Sequence, residues 1–209
     1  MATITLTDNL LRFDQGSLML PRTVVETRST TGVLTQRRGD YTRRIFRGRL
    51  IATNRNEVNY IRGVLQPAID NADQIRFTLP TEFVQYDGER TNPLFVRSDV
   101  AADSNTLTIS TSSSANSPPP AEDLEQGNYI QFGTDTSLYV INSYTATGSN
   151  AGRLIVHPRL RQAVDVSVNN TVTYDNLLFQ GHVTSAIEEE IFNGVTTALR
   201  MRLIVEETL

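Results

Sequence analysis

Cysteine, lysine and tryptophan are all absent from this chain of 209 residues. Without cysteine there is no disulfide framework, no thiolate nucleophile and no Cys-based zinc site, and the chain suits a reducing or an oxidising compartment equally. Histidine is almost absent too: His157 and His182 are the only neutral-pH proton carriers, and neither sits in a motif with a nucleophile or an orienting acid. No apolar run is long enough to span a bilayer, and the first residues carry no basic segment followed by an apolar core. Neither a membrane span nor a secretory leader is expected. Glycine-rich phosphate cradles and the Asp/Asn/Gly spacing of calcium loops are missing as well. Glu188, Glu189 and Glu190 are consecutive, and on a strand successive side chains point to opposite faces, so they do not converge on one ion. The sequence therefore nominates no catalytic, cofactor-binding or metal-binding residue, and an enzyme is not expected.

The chain contains 39% hydrophobic and 20% charged residues, a composition that suits globular folding. Its net charge is −4, which argues against bulk attraction to nucleic acid. All 19 basic residues are arginine. Arginine makes planar bidentate pairs with carboxylates and sheds water more readily than lysine, so the bias fits subunit interfaces held by ion pairs. Codon usage in a GC-rich genome would give the same bias. Arg37, Arg38, Arg43, Arg44, Arg47 and Arg49 crowd one segment, and Arg43, Arg44, Arg47, Arg49, Glu188 and Glu190 are the candidate subunit-interface residues.

Most of the chain reads as strands. Thr3, Thr5 and Thr7 alternate with Ile4 and Leu6, and a polar break is expected around Asp14-Gln15-Gly16. Thr23 to Leu34 favours strand, broken at Gly32. Asn54 and Glu57 have the spacing of a helix start, and Val58, Ile61, Val64 and Leu65 follow at helical intervals. Pro67 cannot donate, so the helix is expected over 55–66, stopping or kinking just before it. Ile75, Phe77 and Leu79 alternate as the next strand, 81–96 is open between loop and short strands, and Thr106 to Ile109 suggests another strand. Ser110 to Glu122 is Ser- and Pro-rich and reads as an exposed loop.

The most strongly patterned stretch is Gly127 to Tyr174. Asn128, Ile130 and Phe132 alternate with Tyr129 and Gln131, Gly133 to Ser137 can turn the chain, Leu138 to Ile141 returns, and Arg153 to His157 adds a third strand. Pro158 ends that strand or marks an edge. Val164 to Val168 and Thr171 to Tyr174 flank Asn169-Asn170, which suggests a second hairpin. Near the C-terminus, Leu177 to Thr184 and Ser185 to Phe192 lead to Asn193-Gly194, and Leu199, Met201, Leu203 and Val205 alternate with Arg200 and Arg202. Burial of one face is expected to override the two-residue turn that Asn-Gly prefers. A three-residue loop or bulge would put Glu188 opposite Arg200 and Ile187 opposite Met201, with Leu199, Met201 and Leu203 facing the core.

The segments Gly127-Asn-Tyr-Ile-Gln-Phe-Gly133, Leu138-Tyr-Val140 and Leu154-Ile-Val-His-Pro-Arg-Leu-Arg161 together resemble a pattern in tailed-bacteriophage tail-tip proteins of the distal tail type. In that family a Gly-Asp-Tyr-Ile-Gln-like strand, a Leu-Tyr-x-Val strand, a Gly-rich spacer and an apolar-Trp-Pro-x-Leu-Arg strand follow in this order. Asn128 stands where Asp is commoner, and His157 where Trp is commoner. The order strand, helix, strand around 45–79 is similar to that of distal tail and tail-tube proteins. The resemblance implies a structural virion protein of the tail tip or baseplate, assembled in the host cytoplasm. It further implies a homo-oligomeric ring, hexameric in the family, that contacts the tail tube, the adhesion apparatus and other tail proteins, with no specific nucleic-acid binding. A head-to-tail connector or neck protein is the alternative. A third is a nucleic-acid module using the arginine cluster, with Tyr41, Phe46 and Tyr60 available to stack. The expected fold is mainly β: an antiparallel sandwich with one short helix, formed by 1–97 and 176–209, into which a small antiparallel β-domain, 98–175, is inserted.

Overall fold

The structure, a computed structural model, describes residues 2–6, 12–19, 24–28, 34–38, 43–80, 83, 94–111, 124–147, 151–168, 171–184, 189–191 and 199–208. It is mainly β, with 52% strand, one short helical stretch over 55–70 and mostly antiparallel sheets. The chain divides into two compact units: Met1–Phe77 with Gln180–Leu209, and Thr78–Phe179. The crossings thus lie at 77/78 and 179/180 and not at the expected 97/98 and 175/176. The displaced boundary has a cause in pairing, because Leu94–Val96 hydrogen-bonds to strands of the second unit.

In the first unit, β1 (Thr3–Thr5), β2 (Arg12–Met19), β5 (Ile45–Ala52), β6 (Gln74–Thr78), β13 (Leu178–Val183) and β15 (Leu199–Glu207) form a sheet in the order β1-β6-β13-β15-β5-β2. A short β14 (Glu189–Ile191) also pairs with β15, and β1 with β6 is a parallel pair. β3 (Val24–Arg28) and β4 (Leu34–Arg38) make a separate two-stranded antiparallel sheet. Strand β2 runs straight through Asp14-Gln15-Gly16, and the expected break there is instead a register shift between Phe13 and Gln15. A bulge absorbs one extra residue without ending the pairing.

Period two governs the central strands. Phe46, Gly48, Leu50 and Ala52 of β5 are enclosed, as are Met201, Leu203 and Val205 of β15, while Arg47 and Arg202 point to the other, open side. Phe13, Phe46 and Phe77 pack as a triangle with ring centroids 5.1 to 5.6 Å apart, and the Phe13–Phe46 pair stands edge to face at 83°. Gly48 makes room for this triangle. A Cβ there would lie 2.6 Å from the Phe46 ring and 2.7 Å from that of Phe13.

The helix starts as its sequence suggests. The Glu57 amide donates to Asn54 Oδ1 at 2.9 Å. The Glu57 carboxylate reaches one residue further back than a capping box requires, accepting the Thr53 amide at 2.6 Å. Of the two expected outcomes at Pro67, a stop or a kink, the stop does not occur. Helix α1 (Arg55–Tyr60) passes into a π turn (Ile61–Leu65) and then α2 (Gln66–Asp70), with Pro67 in the first turn of α2. The Gln66 amide bonds the Ile61 carbonyl five residues back, and this wider turn lets the ladder restart where proline has no proton to give. Val58, Ile61, Leu65 and Ala68 are the buried face.

The second unit is a closed barrel. β7 (Leu94–Val96), β8 (Thr106–Ser110), β9 (Tyr129–Phe132), β10 (Tyr139–Thr147), β11 (Ala151–His157) and β12 (Thr171–Thr173) join in the ring β10-β11-β8-β7-β12-β9. Alternate residues fill it, including Leu94, Leu107, Ile130, Phe132, Ile141, Leu154, Val156 and Val172. Gly133, at φ 55°, opens the turn between β9 and β10. Pro158 follows the last residue of β11, which lies between β10 and β8 and is no edge. The second expected hairpin is not formed. Val164 makes only an isolated bridge to Val100, and β12 pairs with β7 and β9. Local side-chain bonds outcompete a strand over 164–168: Asp165 accepts the Ser167 amide at 2.8 Å and hydroxyl at 2.6 Å, and Asp99 accepts the Val166 amide at 3.0 Å. Asn169 and Asn170 lie outside the described residues. So does 112–123 of the expected loop; Ser110 itself is buried at the end of β8.

Candidate interaction surface

Register builds a charged face on the sheet unit. Ile45, Arg47, Arg49 and Ile51 share one side of β5, and their antiparallel partners share it with them. Arg12 is opposite Ile51; Gln15 and Arg202 are opposite Arg49; Ser17 and Ile204 are opposite Arg47; Met19 and Glu206 are opposite Ile45. Opposed Cβ atoms in such ladders lie about 5 Å apart and successive same-face residues about 7 Å apart, so Arg47, Arg49 and Arg202 are neighbours on this face with isoleucines beside them. Arg47 and Arg202 are exposed and make no ion pair among the described residues. Arg43 lies 3.4 Å from Glu206, and Arg12, 64% exposed in its side chain, lies 3.4 Å from the buried carboxylate of Glu57. The Thr53 amide is the main reason that this carboxyl stays below the usual glutamate range. Burial pulls the other way, and the Thr53 hydroxyl, Arg12 and the Asn54 amide assist the lowering.

The nominated interface residues separate. Arg43 and Arg47 are exposed and Arg49 is half-buried. Arg44 is 1% exposed, on the inner side of the chain, and offers a partner no surface. Its backbone exchanges two bonds with Glu207: the Arg44 amide donates to the Glu207 carboxylate at 2.9 Å, and the Glu207 amide donates to the Arg44 carbonyl at 2.9 Å. Glu188 lies outside the described residues, as does the Asn193-Gly194 turn. Glu190, and not Glu188, is opposite Arg200, and Glu189 is opposite Met201. The observed register is displaced by two residues from the expected one. A displacement of two leaves every residue on its own face, so burial of Met201 and Leu203 is compatible with both registers and does not choose between them. Arg12 and Arg202 belong to the face although they are not among the candidate interface residues. The alternation of Arg200 and Arg202 with Met201 and Leu203 is the signal for Arg202, which the pairing of β15 with β5 joins to Arg47 and Arg49, while Arg12 joins the face through the pairing of β2 with β5.

The barrel carries a polar network of a different kind. Tyr139, buried, donates to Asp135 Oδ2 at 2.7 Å and accepts the Arg161 amide at 3.0 Å, while Arg161 Nη1 donates to Ser137 Oγ at 3.4 Å. Burial pushes the Tyr139 phenol above its usual range, outweighing the bond from the Arg161 amide. Buried Gln131 donates to the Thr136 and Leu178 carbonyls at 2.7 and 2.6 Å and accepts the Leu178 amide at 2.8 Å. These bonds satisfy backbone and anchor side chains, and they assemble no nucleophile beside a base. His157 is exposed on β11 and His182 half-buried on β13 opposite Glu206. Among the described residues no group of three or more His, Asp or Glu is arranged to hold a metal ion, and no helix is long and apolar enough to cross a membrane. Phe46, considered above as a base-stacking group, is fully enclosed on the side opposite Arg47. Comparison with known proteins found no matching family model and no matching curated sequence.

Proposed function

We propose that this chain is a non-enzymatic structural component of a tailed-bacteriophage virion, at the tail tip or baseplate, where it forms a ring and contacts other tail proteins. The observation that carries this reading is where the resembling segments fall. Gly127–Gly133, Leu138–Val140 and Leu154–Arg161 supply β9, β10 and β11, three successive strands of one small barrel whose sequence interrupts that of the sheet unit. A cysteine-free, mainly β chain with an arginine-rich sheet face suits a part that works by packing against neighbours. The ring, its order and the tail location are inferences from the resemblance. Light scattering of the purified chain with negative-stain imaging tests them. Closed multi-subunit rings are the expected result. A strict monomer at high concentration, also in the presence of tail extracts, would remove the ring.

A further inference from the structure

We draw no further inference here: the strongest candidate, the arginine- and isoleucine-bearing open face of the β2-β5-β15 sheet, shares its register with the chain's own Glu206 and Glu190, and nothing in the structure shows what covers it.

Discussion

The barrel and the sheet unit solve the same problem, burying one face of every strand, in opposite ways. The barrel closes on itself, so each of its six strands has a neighbour on both sides and no strand edge is left along the ring. Its outward positions are mostly small and polar, such as Thr106, Thr108, Ser143 and Thr145. The sheet unit stays open, covers one face with phenylalanines and aliphatic side chains, and presents arginine and isoleucine on the other. The difference teaches that closure and one-sided covering are alternative ways of hiding strand surface from water. Closure removes strand edges from the barrel, whereas the open sheet keeps a second face on which charged and aliphatic side chains alternate.

The comparison is broken most severely by charge in the core of the open unit. Met201 is 1% exposed, and Met201→Asp should cost more than about 4 kcal/mol and unfold the sheet unit. Amide resonances of the barrel should survive in the folded range. Loss of both sets together would show that the two units are one cooperative core. The reciprocal change is Leu154→Ala, at a fully buried barrel position, expected to cost about 2–5 kcal/mol and to lower only the barrel's urea midpoint.

Smaller changes sharpen the contrast within the sheet unit. Gly48→Ala must push apart the Phe13 and Phe46 rings, and urea titration should register about 1–3 kcal/mol lost. Glu57→Gln removes a charge-assisted bond to the Thr53 amide, expected to cost about 1–2 kcal/mol near neutrality. The folded carboxyl titrates below the unfolded one, so its contribution is complete above the unfolded pKa and is lost as pH falls through the folded value. Wild type and Glu57→Gln should therefore converge in stability under acid. A gap that widened with acid would mean that the carboxyl is not held ionised by these donors.

Legibility in the sequence followed the range of the interactions. Alternation over 127–157 and 199–205 and the Asn54 cap are local signals, and the strands and the helix start appear where they point. Pro67 misled because a π turn upstream can rearrange a ladder that propensity treats as broken. Val164 to Val168 alternates well enough, yet Asp165 and Asp99 hold the backbone in turns. The arginine face was half legible. Arg47 and Arg49 lie in one segment, but Arg202 joins them across a ladder that spans more than a hundred residues of chain, and Arg44 is turned inward by the same alternation that exposes Arg43.

The proposed place of the chain in a virion is tested most directly by labelling. A gold-conjugated antibody raised against the chain, applied to the particles whose genome encodes it, should decorate the tail tip, a few labels per particle, and the chain should copurify with intact tails. Label absent from every particle, with the chain recovered only from the soluble fraction of the host, would contradict the account.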